Sequence, residues 1–369
     1  MPRGSPHERH APATAPAAAP QELLALTSAR GLAAWWVVLF HLHFLLPAPG
    51  SAIVKSMLSS GNLAVDFFFI LSGFVIQLSW SDRVAGGRTR DFFVARFARI
   101  YPLHLVMLAG FAAYNAAAVL FGDATLGEQN PLYLLLSLLL VQNWGFTPET
   151  AWNVPAWSIS AETAAYIVFP LLLAALRPRA RPLWLLGLLL VALSLTVHGF
   201  FALFHFLYPD AVAQTGLVRC LAQFAMGVIV CELYRRFQAH ERLTRYFVPA
   251  AIALALAWWI FGIPVMPLAW AALTLGLALY RGGALAAAPL VWLGKISYAT
   301  YLSHYFILML FKFAFLKGGA TFTPAVATAY LAAVFVASAL LYYAVERPAQ
   351  RMLLRWFKAR RPVIEPAPA

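Results

Sequence analysis

Ten apolar stretches, each long enough for a helix to cross a bilayer, leave this chain one class of fold. They lie at about 28–47, 62–80, 99–121, 157–176, 182–206, 214–235, 247–263, 265–281, 294–316 and 322–345. A hydrocarbon core about 30 Å thick takes roughly 20 apolar residues of helix. In lipid every backbone N–H and C=O must find its partner within the segment, which a helix provides. Of the 369 residues, 62% are hydrophobic and 11% charged, more apolar surface than a water-soluble domain can bury. The expected fold is all-α, a polytopic membrane protein with about ten transmembrane helices.

An eleventh apolar run, PLYLLLSLLLVQNW at 131–144, falls short of the roughly 17 residues a full crossing needs. The basic segments decide how to treat it. They occupy 81–99, 177–182, 235–245, 281–295 and the stretch from Arg347, and an excess of Lys and Arg marks the cytoplasmic side. All five share one side only if 131–144 enters the membrane and returns. The expectation is therefore ten spans plus a short re-entrant segment, in the inner (plasma) membrane, with both termini cytoplasmic. The net charge of +13 is then a property of loops, and no nucleic-acid partner is expected. Residues 1–22, rich in Ala and Pro, read as a disordered cytoplasmic tail rather than a cleaved signal. The transmembrane domain is expected over 23–350, and 351–369 as a basic cytoplasmic tail with no soluble domain after it. No internal repeat is visible. Cys220 and Cys231 would stand about 16 Å apart on one helix, too far to bridge. No metal-ligand spacing occurs, and no metal is expected.

An ionisable side chain in hydrocarbon is costly unless paired or wetted, so each one is a candidate for function. Arg30 and His41 are eleven residues apart, on one helix face and about 16 Å along the axis. Arg96 and Arg99, in ARFARIYP, share a face at the start of the third span. Snorkelling to lipid phosphate is the plain account of such arginines. The functional one is an anion clamp, because guanidinium forks match phosphate oxygens. Ser297, Tyr301 and His304 form a polar stripe in GKISYATYLSHY. Toward the outer side fall Asp66, Glu162 and Arg219; the acids could orient a histidine, bind acceptor hydroxyls or pair with Arg219. His43 and His104 are assigned to interhelical hydrogen bonds, and Glu346 to an arginine-pairing role.

At these residues the chain resembles the acyltransferase 3 family of membrane acyltransferases. Arg30 and His41 match its arginine–histidine spacing, and Asp66 to Phe74 its Asp-Phe-Phe-Phe-x-Leu-Ser-Gly-Phe run. Arg96 and Arg99 match its arginine pair, and Trp157, Ser158, Ser160 and Glu162 its Trp-Ser-x-Ser-x-Glu signature. Ile296 to His304 and Glu346 with Pro348 complete the set, in order, over about 23–350. One departure is TAAY after Glu162, where the family often carries aromatic residues; it points to an altered acceptor pocket. The resemblance implies an integral membrane O-acyltransferase that moves an acyl group, usually acetyl, from cytoplasmic acyl-CoA. The acceptor would be a hydroxyl of a glycan, a lipid-linked saccharide or a small metabolite. Arg30, Arg96 and Arg99 would then bind the donor and His41 would act as base, with Asp66 or Glu162 orienting the imidazole or the acceptor. Ser297, Tyr301, His304 and Arg219 would support substrate or site. The depth map fits this independently, since coenzyme A has a polyanionic head and a long thin arm. A transporter or exporter of an anionic metabolite or polysaccharide precursor is the rival; it would use the same charges to line a path.

Overall fold

The computed structural model describes residues 23–48, 50–120, 130–176, 178–316 and 321–360. The expected N-terminal tail and residues 361–369 of the C-terminal one lie outside that set. Every apolar run becomes a helix, and the described residues contain no strand. The first half holds α1 (Leu24–His43), α2 (Ala52–Ser59), α3 (Ala64–Ala85), α4 (Thr89–Leu120), α5 (Pro131–Leu138) and α6 (Trp157–Leu176). The second holds α7 (Leu183–Leu203), α8 (Val212–Phe237), α9 (Thr244–Phe261), α10 (Met266–Leu279), α11 (Ala288–Phe315), α12 (Pro324–Leu341) and α13 (Arg347–Ala359).

Among the described residues eight helices are long and apolar enough to cross a membrane by length and composition. The other two expected spans differ for physical reasons. α11 has 28 residues, but the polar stripe through Ser297, Tyr301, Ser303, His304 and Tyr305 dilutes its hydropathy. α10 has 14 residues, about 21 Å of helix, beginning at the Met266–Pro267 pair after the left-handed Gly262 turn. Residues 131–144 do not form a span. α5 has 8 residues, about 12 Å, and the chain turns at Leu140, whose φ is 57°. Tyr101 donates to the Leu138 carbonyl at 3.1 Å and His104 Nε2 donates to Ser137 O at 2.9 Å, so α4 takes up α5's terminal carbonyls. His104 thus has the interhelical bond expected of it.

α8 is the hub, packed by α3, α6, α7 and α10 and buried from Ala222 to Glu232 without a break. Its buried charges are paired there, Arg219 with Asp66 and Glu232 with Arg236. Small residues set the two tightest crossings. Gly73 of α3 faces the Phe224 backbone of α8, and Gly227 of α8 returns the contact against the Ile70 carbonyl. A Cβ on Gly31 of α1 would sit 2.7 Å from the Gly294 nitrogen of α11. These approaches bring α1 beside α11 and α3 beside α8.

The basic segments meet at one end of the bundle. Arg235 donates to Gln77 O and Ser81 Oγ, each at 3.1 Å. Arg236 reaches Pro178 O at 3.1 Å and Arg181 O at 2.8 Å. Arg179 pairs with Asp82, and Arg281 donates to Gln238 O at 3.2 Å. Ser28, at the start of α1, donates to Leu285 O at 2.6 Å. Segments 81–99, 177–182, 235–245 and 281–295 therefore share a face, the grouping that charge parity required.

Candidate active site

At that same end a cavity of about 390 Å³ opens into the bundle. Each wall follows from helical spacing. α3 contributes Val65, Phe68, Phe69, Ser72 and Ile76; α6 contributes Ser158, Glu162 and Tyr166 at i, i+4 and i+8; α11 contributes Ser297 and Tyr301 at i and i+4. α1 adds Arg30, α4 adds Arg96 and Arg99, and α13 adds Gln350. The guanidinium group of Arg30 thus converges on one space with those of Arg96 and Arg99, more than sixty residues further along the chain.

Their partners differ. Arg30 Nη2 donates to Ser297 Oγ at 3.2 Å. Arg99 forms an ion pair with Glu346, a carboxylate only 1% exposed, and lies 5.4 Å from the Tyr298 ring centroid. Arg96 packs over Tyr166 at 5.9 Å and Trp80 at 6.0 Å, and its buried Nε finds no hydrogen-bond partner among the described residues. Arg30 and Arg96 have no carboxylate within ion-pair distance among the described residues. The cavity therefore gathers three cations and one carboxylate, Glu162, in its lining.

In the same lining, Glu162 accepts hydrogen bonds from Ser72 Oγ and Tyr166 Oη on the same oxygen, Oε1. Both bonds hold the carboxylate through that one oxygen. Deeper, Tyr301 Oη donates to Pro155 O at 3.0 Å and lies 2.8 Å from Ser158 Oγ, which joins α11 to α6.

Tyr301 also leads beyond the cavity: its ring centroid lies 6.0 Å from that of His304, one turn further along α11. His304 Nε2 is 3.2 Å from His41 Nδ1. His304 Nδ1 faces Thr300 O at 3.2 Å, and His41 Nδ1 faces Val37 O at 3.0 Å. With both rings neutral, one assignment satisfies all three contacts. His304 Nδ1–H donates to Thr300 O, and His41 Nδ1–H is shared between Val37 O and His304 Nε2. That leaves the lone pair of His41 Nε2 uncommitted. His41 and His304 do not line the cavity; it ends at Tyr301, and the histidine pair stands one helical turn past it.

Asp66 and Arg219 are brought together elsewhere. Arg219 donates through Nε at 3.1 Å and Nη2 at 2.8 Å to Asp66 Oδ1, and Tyr208 donates to Asp66 Oδ2. Arg219 Nη1 donates to Pro209 O at 2.6 Å, and Asp66 and Arg219 are 0% and 1% exposed. This closed ion pair locks α3 to α8 and lies outside the cavity. Sequence reasoning passed over Ser72, Tyr166, Tyr298 and Gln350. The signal for Tyr166 was its place on the Ser158–Glu162 stripe, in the TAAY departure itself; Ser72 sat within the quoted Asp66–Phe74 run. Among the described residues no cluster of His, Cys, Asp or Glu could hold a metal ion.

An all-helical bundle with an arginine-lined cavity and a histidine pair beyond the cavity's inner end defines a polytopic membrane protein with a polar site inside the bundle. The chain belongs to the acyltransferase 3 family, whose acyltransferase-domain model matches residues 23–343. It is 31% identical to Acyltransferase MdmB of Streptomyces mycarofaciens, over 92% of this chain and 94% of that protein. It is 23% identical to O-acetyltransferase OatA of Staphylococcus aureus over 81% of this chain, and it spans 53% of that relative's length. Protein 2 in the picA locus of Rhizobium radiobacter is 38% identical over 29% of the chain. No solved structure matches.

Proposed function

We propose that this acyltransferase is an O-acyltransferase taking its acyl group, acetyl in the simplest case, from acyl-CoA at the cytoplasmic face of the inner membrane. The observation that carries the reading is the convergence of Arg30, Arg96 and Arg99 on one cavity, with Arg96 Nε unpartnered among the described residues. Coenzyme A presents a diphosphate and a further phosphate at one end of a long thin arm, and guanidinium forks are suited to those oxygens. The arm runs inward between Ser72, Glu162 and Ser158 toward Tyr301. Along α1, Arg30 and His41 are separated by about 16 Å, comparable with the reach of that arm.

In this mechanism His41 Nε2 takes the proton of the acceptor hydroxyl as its oxygen attacks the thioester carbonyl. The carbon–sulfur bond breaks and the thiolate leaves with coenzyme A. Val37 O and His304 together hold His41 in the tautomer that keeps Nε2 bare, and Tyr301 turns aside to let the acyl end reach it. Base catalysis of this kind contributes roughly 10²–10⁴-fold. Glu162, fixed by Ser72 and Tyr166, takes part in holding the acceptor or the donor's inner end. The name of the Staphylococcus aureus relative, an O-acetyltransferase, supports a hydroxyl acceptor. We propose a glycan, lipid-linked saccharide or small hydroxylated metabolite.

The test compares surface glycans and extracted metabolites, by mass spectrometry, from cells with and without the gene, alongside purified protein in nanodiscs given labelled acetyl-CoA. Loss of one acyl mass from a defined acceptor, with thiol release in vitro, is the expected result. Flux of an anionic metabolite into proteoliposomes without thioester consumption would make the protein an exporter instead.

A further inference from the structure

α12 does not stop at the membrane. It passes through a π-turn, Tyr342–Glu346, into α13 with no break, so Pro324–Ala359 is a helical run of 36 residues. That is about 54 Å of helix against a hydrocarbon core of about 30 Å, so its charged end must leave the lipid. On α13, Arg347, Arg351 and Arg355 recur every fourth residue and form one stripe about 12 Å long. With Tyr343, Pro348 and Met352 they line a groove of about 450 Å³. All three arginines are exposed, and none has a carboxylate within ion-pair distance among the described residues. Tyr343 is 49% exposed at the membrane side of the groove, and Met352, 65% exposed, gives it an apolar wall.

We infer that this groove binds the headgroup phosphate of an anionic phospholipid, in the leaflet where the arginine cavity opens. Three features select a lipid. The stripe spans about the depth of one headgroup layer, roughly 5–8 Å, and extends past it into water. A tyrosine, Tyr343, stands at the end nearer the hydrocarbon, where acyl chains would lie, and tyrosine favours that boundary. The guanidinium groups have no carboxylate partner among the described residues and can take phosphate oxygens in bidentate fashion. Gln350, on another side of α13, lines the donor cavity, and Glu346 in the π-turn holds Arg99. A lipid on the groove would therefore fix the helix that borders the cavity's mouth. The inference does not depend on the identity of the acyl donor.

The experiment measures hydrogen–deuterium exchange of residues 347–359 in the full chain, in nanodiscs of phosphatidylcholine alone or with added phosphatidylglycerol. Each interfacial arginine is worth roughly fivefold in affinity for an anionic surface, so the three together give on the order of 100-fold. Protection that appears with phosphatidylglycerol supports the site. Its loss in R347Q/R351Q/R355Q, with the exchange of α3 and α8 unchanged, assigns it to the groove. Equal exchange of the unmodified chain in the two lipids overturns the proposal without recourse to a variant. Protection by coenzyme A or inorganic phosphate in phosphatidylcholine, matching that from phosphatidylglycerol, also overturns it, because the groove would then serve a soluble phosphate.

Discussion

His304 on α11 sets Nε2 3.2 Å from Nδ1 of His41 on α1, adding a second acceptor to the Val37 carbonyl that already calls for a proton on that nitrogen. His41→Ala should lower turnover by roughly 10²–10⁴-fold while acyl-CoA binding, measured by calorimetry in nanodiscs, stays within a few-fold. His304→Ala should lower it less, because His41 then keeps only Val37 O to hold its tautomer. Turnover that survives His41→Ala would remove the imidazole from the reaction.

Arg96→Ala and Arg30→Ala should weaken donor binding by roughly 10–100-fold each, the range of one charge-assisted hydrogen bond. Arg99→Ala has a second consequence. It leaves Glu346, 1% exposed, as a buried unpaired carboxylate, so thermal stability should fall along with affinity. Arg99→Ala combined with Glu346→Gln should regain stability but not donor affinity. The check is a melting curve and a donor titration on the same four proteins. Unchanged donor affinity in Arg96→Ala would return that residue to lipid snorkelling.

The helices were legible in the sequence because hydrocarbon imposes a length and a composition on each crossing. Arg30 and His41, or Ser297 and Tyr301, were legible as shared faces because helical spacing is local. Asp66 and Glu162 looked alike by the same criteria, since each is one acid in an apolar helix. What separates them is long-range. Asp66 meets Arg219, 153 residues away, whereas Glu162 meets Ser72 and Tyr166 and stays open to the cavity. The position of His41 beyond Tyr301 was illegible for a related reason: spacing along α1 gives depth but not which neighbouring side chain stands in the way.

The Asp66–Arg219 pair supplies a stability prediction that separates it from the chemistry. Asp66→Ala should cost about 3–5 kcal/mol, because it strands a buried guanidinium. Asp66→Leu with Arg219→Met removes both charges and should recover much of that loss, since apolar replacement of a buried pair is often near neutral. Thermal unfolding in detergent measures both. Turnover per folded molecule should persist in the double variant; a stable but inactive double variant would show that Asp66 belongs to the reaction.

Gly73 and Gly227 make the last prediction, and it connects packing to catalysis. A Cβ on Gly227 would fall within the Ile70 carbonyl oxygen, and one on Gly73 within the Phe224 carbonyl oxygen. Backbone cannot swing away as a side chain can, so either alanine must push α3 from α8. Overpacking of this kind costs about 1–3 kcal/mol, and a rigid backbone contact lies at the upper end. α3 also carries Ser72, one residue from Gly73, whose hydroxyl fixes Glu162. Gly73→Ala should therefore lower turnover more than its loss of folded protein explains. Gly187 and Gly199 on α7 are the controls, because nothing lies within 4 Å of a Cβ at either. Alanine there should leave turnover unchanged and raise stability by about 0.5–1 kcal/mol through helix propensity. If Gly73→Ala behaved like Gly187→Ala in both melting and turnover, the α3–α8 crossing would not be what holds Ser72 against Glu162.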